Sequence, residues 1–133
     1  MTAQKAIPDA GAPGVVDDQG ECANEVRLRG RLAAAPRLRE LPSGDTVWNL
    51  RVVVERPPLP PGKDRPRQRV DSLECAVWAG RLKKQVEKWE AGDVVDVTGA
   101  LRRRFFRAGG TTASRVEVEL TGGRRVRRVT GSG

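Results

Sequence analysis

Gly99 to Arg107 reads GALRRRFFR, in which three consecutive arginines run into two phenylalanines. Rings are scarce in this chain, with three Trp, two Phe and no Tyr in 133 residues. Both Phe residues therefore sit beside the densest cationic cluster ahead of the C-terminal tail. Guanidinium groups neutralise phosphates, and flat rings stack on unpaired bases. The juxtaposition thus suits a single-stranded nucleic acid. Such a contact needs a platform that holds cations and rings on one face.

Charge supports a polyanionic partner. The formal net charge is +8. The first 25 residues hold five acids (Asp9, Asp17, Asp18, Glu21, Glu25) and one base (Lys5), which leaves 24 bases and 12 acids from Val26 onward. A basic body of this kind favours nucleic acid. The chain contains no His, so the commonest general base and the commonest zinc ligand are missing, and an enzyme is not expected. Cys22 and Cys75 fit neither a metal spacing nor a disulfide framework. No cofactor is implied. No apolar run approaches the roughly 20 residues of a membrane helix, and no secretory signal opens the chain. A cytoplasmic, nucleoid-associated protein without a membrane partner is the expectation.

The elements that must position these residues are legible from periodicity. Residues 1–23 are small, polar and punctuated by Gly and Pro, which predicts a disordered acidic arm. Val26, Leu28, Gly30 and Leu32 alternate with Arg27, Arg29 and Arg31, a strand with one buried face and one arginine-lined face. A short extended piece, Arg37 to Leu41, leads to the turn Pro42-Ser43-Gly44. A second strand follows over 45–55, with Leu50, Val52 and Val54 inward. Trp48 shares their parity and is assigned to the core. Residues 56–69 form a proline-rich loop carrying Arg56, Lys63, Arg65, Arg67 and Arg69. These bases could clasp a phosphate backbone or simply decorate a mobile loop.

The third strand, 70–78, turns Leu73, Cys75 and Val77 inward and Ser72 and Trp78 outward. Gly80 to Glu90 is the one helical stretch, with Leu82, Val86 and Trp89 on its apolar stripe and Gly92 as its cap. A fourth strand starts at Asp93, with Val95, Val97, Gly99 and Leu101 inward. This parity turns Arg102, Arg104 and Phe106 outward and assigns Phe105 to packing. Asp93 and Asp96 read as surface charges. After a turn at Ala108-Gly109-Gly110, a fifth strand over 111–121 points Val116, Val118 and Leu120 inward. Residues 122–133 form a basic, weakly structured tail. Three strands, one helix and two strands is the order of an all-β, five-stranded OB-fold barrel with one α-helix between strands 3 and 4.

The run Pro36 to Gly44, PRLRELPSG, resembles the P-x-L-R-x-x-P-S-G stretch of bacterial single-stranded-DNA-binding proteins. Val47-Trp48-Asn49-Leu50 is similar to that family's V-A-N-F, and Cys75-Ala76-Val77-Trp78 to the C-x-x-W of actinobacterial members. Gly99 to Phe106 resembles its G-x-L-x-x-R-x-[FW] strand. The resemblance spans residues 24–121 and implies an OB-fold domain that binds single-stranded DNA as a homo-oligomer, usually a tetramer, with a dimer as the alternative.

Trp78 and Phe106 match two base-stacking columns of the family. A third column falls on Ser72, which suggests weaker or more charge-dependent binding. The family's acidic tail, which recruits repair and replication enzymes, has no counterpart in the arginine-rich end of this chain. The resemblance therefore implies a tailless paralogue serving replication, repair or recombination. Candidate phosphate contacts are Arg27, Arg29, Arg31, Arg102, Arg104, Arg56, Lys63, Arg65, Arg67 and Arg69. For Trp78 the competing reading is a ring folded over the helix start. For Phe106 it is a hairpin-tip contact with another subunit. A primosomal-type protein-interaction module and an RNA-binding OB module are the alternative functions.

Overall fold

The computed structural model describes residues 15–16, 20–58 and 69–129. In chain order the strands are β1 (Val15–Val16), β2 (Ala23–Asn24), β3 (Val26–Leu32), β4 (Arg37–Glu40), β5 (Thr46–Glu55) and β6 (Val70–Val77). The helix α1 (Leu82–Val86) follows, then β7 (Val94–Ala108) and β8 (Thr111–Arg127). The two residues of β1 pair with β2, a short ladder inside the stretch expected to be unstructured; most of the acidic arm lies outside the described residues.

Strands β3, β7, β8, β6 and β5 pair in that order, and β3 returns to β5 through Arg31↔Val53 and Leu32↔Val52. That last pairing closes the sheet into a barrel. The β6–β8 pair is parallel, and the other barrel pairs are antiparallel. This is the five-stranded OB-fold, with α1 between its third and fourth strands. Strand β4 adds to the free side of β5 through Leu38↔Trp48 and its neighbours.

The alternating apolar residues converge as their period-two spacing requires. Leu32, Leu50, Val52, Cys75, Val77, Val95, Val97, Val118 and Leu120 form the core with Leu82, Val86 and Trp89 from the helical segment. Each such side chain contributes about 1.5–3 kcal/mol on burial. Trp48 is half-buried against this cluster. Burial pushes the Cys75 thiol up to about 12, helped by the negative charges of Glu74 and Glu117. Cys75 thus behaves as a small apolar residue. The helix is shorter than its apolar stripe predicts, because residues 87–88 are a turn and residues 89–90 are irregular, yet they still carry Trp89 inward.

Three expectations change at the ends of the barrel. β8 does not stop at 121: Gly122 to Arg127 continue pairing with β7, from Thr98↔Gly122 to Val94↔Arg127, across two bulges. The first half of the segment expected to be a loose tail, residues 122–127, is therefore strand. Its end is tied down by Asp93, which is buried rather than on the surface. The Asp93 carboxylate accepts hydrogen bonds from the amides of Glu90 (2.8 Å) and Val129 (2.8 Å) and from the Arg125 guanidinium (3.1 Å). Burial alone would raise the Asp93 carboxyl, but these donors outweigh it and hold it below its ordinary range.

The third change concerns the far end of the same two strands. The β3–β7 ladder ends at Val26↔Gly99, and the β6–β8 ladder spans only Cys75↔Val118 and Ala76↔Glu119. Beyond those pairs the Asn24 side-chain amide exchanges two hydrogen bonds with the Leu101 backbone (2.8 and 2.9 Å), and β7 and β8 then continue out of the barrel as a two-stranded arm. Leu101 and Val116 keep their inward parity but are 48% and 46% exposed, because no barrel lies opposite them. Phe105, expected to pack, is 69% exposed for the same reason.

Candidate nucleic-acid interface

The arm's outer face carries the residues singled out by their alternation. Arg102, Arg104 and Phe106 project from β7, and the register sets Glu117, Arg115 and Ala113 of β8 opposite them. Trp78 follows directly on the last residue of β6, and Asn49 and Arg39 come from β5 and β4. Trp78, Phe106, Arg104, Arg115, Asn49 and Arg39 line one shallow depression of about 340 Å³, with Glu117 in its wall and Phe105 at its edge. An open trough of about 560 Å³ along Ala33–Ala35, Arg37 and Arg51 shares Arg39 and Asn49 with it.

The depression is wired by a continuous chain of charges. Arg102 donates to Glu119 (2.7 Å), Arg104 reaches both Glu119 (3.5 Å) and Glu117 (3.0 Å), and Arg115 lies 3.8 Å from Glu117. Two of these arginines also cover the rings. The Arg104 guanidinium sits 5.2 Å from the Trp78 ring centroid, and that of Arg115 sits 5.9 Å from Phe106. Each is a cation–π contact on a face that a base would use. The Trp78 indole N–H is buried and has no acceptor among the described residues. Phe106 keeps 44% of its surface open.

The other candidates are placed apart from this depression. Arg27 and Arg29 of β3 both fork onto the Asp96 carboxylate, at 2.7 and 2.8 Å. Asp96, read from sequence as a surface charge, keeps only 7% of its side chain exposed. It lies eight residues before Arg104 on β7, about 26 Å along the strand. Arg31 forms no ion pair among the described residues. Arg56 pairs with Asp71 at 2.8 Å, at the opposite end of the β5–β6 ladder from Trp78. The Arg69 carbonyl accepts from the Arg56 amide at 2.8 Å. Lys63, Arg65 and Arg67 lie outside the described residues. Ser72, in the column where a third ring would stand, is exposed on β6.

The Asp96 cluster yields a pH prediction. Hydrogen bonding from Arg27, then from Arg29, together with both guanidinium charges, holds the Asp96 carboxyl well below the ordinary carboxylate range despite its burial. Its folded value lies below an unfolded value of about 3.9. The stabilisation is therefore fully present above that pH and is lost as pH falls through the folded value. Asp96→Asn should cost about 2 kcal/mol at pH 7. In urea denaturation the variant should lose less stability than the parent on acidification below pH ~4. Parallel acid dependence in the two proteins would show that this pair carries no such linkage.

Sequence reasoning missed Glu117, Glu119, Arg115, Arg39 and Asn49. For β8 a signal existed: Arg115, Glu117 and Glu119 alternate with Val116 and Val118, so they share one face. Pairing that face with Arg102 and Arg104 required the β7–β8 register.

Comparison with known proteins agrees with this architecture. The model of the single-strand binding protein family matches residues 23–126. A solved structure of a Plasmodium falciparum SSB in complex with ssDNA superposes with a TM-score of 0.64 at 20% identity. The superposition covers 78% of this chain and 93% of that one, a likeness of fold. A search of curated proteins returned no match. The match over most of the described barrel, in the element order set out above, places the chain in the single-strand binding protein family, so that it is a non-enzymatic protein that binds single-stranded DNA.

Proposed function

We propose that bases of single-stranded DNA stack at Trp78 and Phe106, and that Arg102, Arg104 and Arg115 meet the adjoining phosphates without regard to sequence. The observation that carries this reading is the depression itself. It gathers three of the chain's five rings, Trp78, Phe106 and Phe105, around one hollow together with arginines. Every base has a stackable face and every nucleotide a phosphate, so such a surface tolerates any sequence. Arg27, Arg29, Arg31 and the bases of the 56–69 stretch are the remaining candidates for phosphate contact. On this reading the protein covers single strands exposed in replication, repair or recombination, in the cytoplasm.

A homo-oligomer is part of the same reading. Leu101, Phe105 and Val116 leave an apolar stripe on the arm, a surface more often covered than solvated.

The test is a titration of labelled oligo(dT), duplex DNA and single-stranded RNA at two salt concentrations, with the mass of the free protein measured in solution. Oligo(dT) should bind more tightly than duplex. Its affinity should fall with a slope of about −0.7 log unit per log unit of salt for each phosphate neutralised. Equal affinity for duplex and single strand would replace this reading with generic polyanion binding. RNA bound more tightly than oligo(dT) would move the physiological ligand to RNA.

A further inference from the structure

Two carboxylates stand where a polyanion is to be bound. Glu117 is only 5% exposed in its side chain, and Glu119 is the second acid of the same face. Between them they engage Arg104 and Arg115 of the depression and Arg102 beside it, in the order Arg102–Glu119–Arg104–Glu117–Arg115, while Arg39 pairs with neither. Three guanidinium groups therefore face two carboxylates, which offset two of those three charges within the protein, and Arg39 adds a further cation to the depression. A surface evolved only to attract phosphate would not carry these acids. Their presence lowers the part of the affinity that any polyanion can exploit. The part supplied by Trp78 and Phe106 comes from uncharged rings, and only unpaired bases can use it.

We propose that Glu117 and Glu119 set the selectivity of this face for single-stranded over duplex DNA, by holding down its charge-driven affinity and leaving base stacking to decide. The inference rests on the reading that this face holds single-stranded DNA. Duplex DNA carries one negative charge per ~1.7 Å of axis and hides its base faces in the stack, so it binds by charge. A single strand presents fewer phosphates per unit length and offers its bases. Each carboxylate therefore repels duplex more than single strand, a repulsive element directed against the wrong partner. The same acids have a positioning role. By holding Arg104 and Arg115, they keep the two guanidinium groups over the rings.

The test replaces each acid by its isosteric amide, Glu117→Gln and Glu119→Gln, singly and together. The amide oxygen can still accept the arginine hydrogen bond, so the change is chiefly one of charge. At low salt each single variant should bind duplex about tenfold more tightly and oligo(dT) about threefold more tightly, narrowing the ratio about threefold. The salt dependence of duplex binding should steepen by up to about 0.9 log unit per log unit for each additional phosphate neutralised. An unchanged ratio of single-strand to duplex affinity in the Gln variants overturns the proposal. Because Glu117 is buried, thermal melting must accompany the measurement. Should Glu117→Gln unfold, the more exposed Glu119→Gln decides the question alone. A Trp78→Ala arm separates the two levels. If that variant loses single-strand affinity while the Gln variants keep the parent ratio, only the selectivity role falls. If it binds as the parent does, the stacking reading falls first.

Discussion

Trp78→Ala is expected to weaken oligo(dT) binding by about 1–3 kcal/mol, or roughly 5- to 150-fold in Kd, the value of one lost base–ring stack. It should also remove much of the fluorescence quench that DNA produces in the parent, because Trp48 and Trp89 are packed against or within the core. The effect should exceed that of deleting one exposed arginine, whose contact with phosphate is screened by salt. Arg104 already covers the Trp78 ring at 5.2 Å. A base must therefore displace that guanidinium or stack beside it, and the observed loss should lie nearer the lower end of the range. Phe106→Ala should behave similarly, and the double variant should lose more than either alone. Duplex binding, which uses no base faces, should change little. Unaltered affinity and unaltered quenching in Trp78→Ala would remove this ring from the binding surface.

Gly99→Ala is expected to damage the barrel severely, although it adds only a methyl group. A methyl group at Gly99 would lie 2.0 Å from the Glu119 carbonyl oxygen and 2.8 Å from its carbon. Both atoms are backbone, and neither can rotate away. Relief requires β7 and β8 to separate where Gly99 pairs with Leu120, just where the ladder steps across a bulge. Leu120 and Val118 are core residues, so the separation would also loosen packing. A cost of about 3 kcal/mol follows, at the upper end of overpacking effects. For a domain of this size that corresponds to a fall in Tm of about 10–20 °C. Calorimetry or thermal melting by circular dichroism measures it directly. A loss below 1 °C would mean that the two strands can part locally without cost.

These two residues show which parts of the molecule are legible in the chain. Alternation of Arg27, Arg29 and Arg31 with Val26, Leu28 and Leu32 reports a strand with a core face, and the structure builds it as β3. The same logic places Gly99 inside the barrel and Phe106 on the outer face beside Arg104. Period two is a property of any extended backbone, so the facing of each side chain can be read before any partner strand is known. The spacing of Leu82, Val86 and Trp89 reports one apolar helical face for a similar reason.

Parity says which way a residue faces, but not whether anything stands opposite it. Leu101, Phe105 and Val116 face the correct way and remain exposed because the neighbouring strands stop at Gly99 and Val118. The continuation of β8 through Gly122 to Arg127 was equally hidden. Its glycines and arginines have weak strand preference, and what holds them is the edge of a long β7 and the buried Asp93.

The charge pairings follow the same division. Sequence counts Arg102, Arg104, Glu117 and Glu119 but cannot join them, since residues 13 to 17 positions apart meet only once the hairpin register is set. Arg27 and Arg29 meet Asp96 across nearly 70 positions of chain. The amino-acid sequence by itself determined the element order and the faces of the strands, because those depend on local periodicity. Tertiary structure alone decided where the barrel ends, which arginines are held by carboxylates and how rings and charges share one depression. Those features depend on contacts between segments distant in the chain, and no local pattern encodes them.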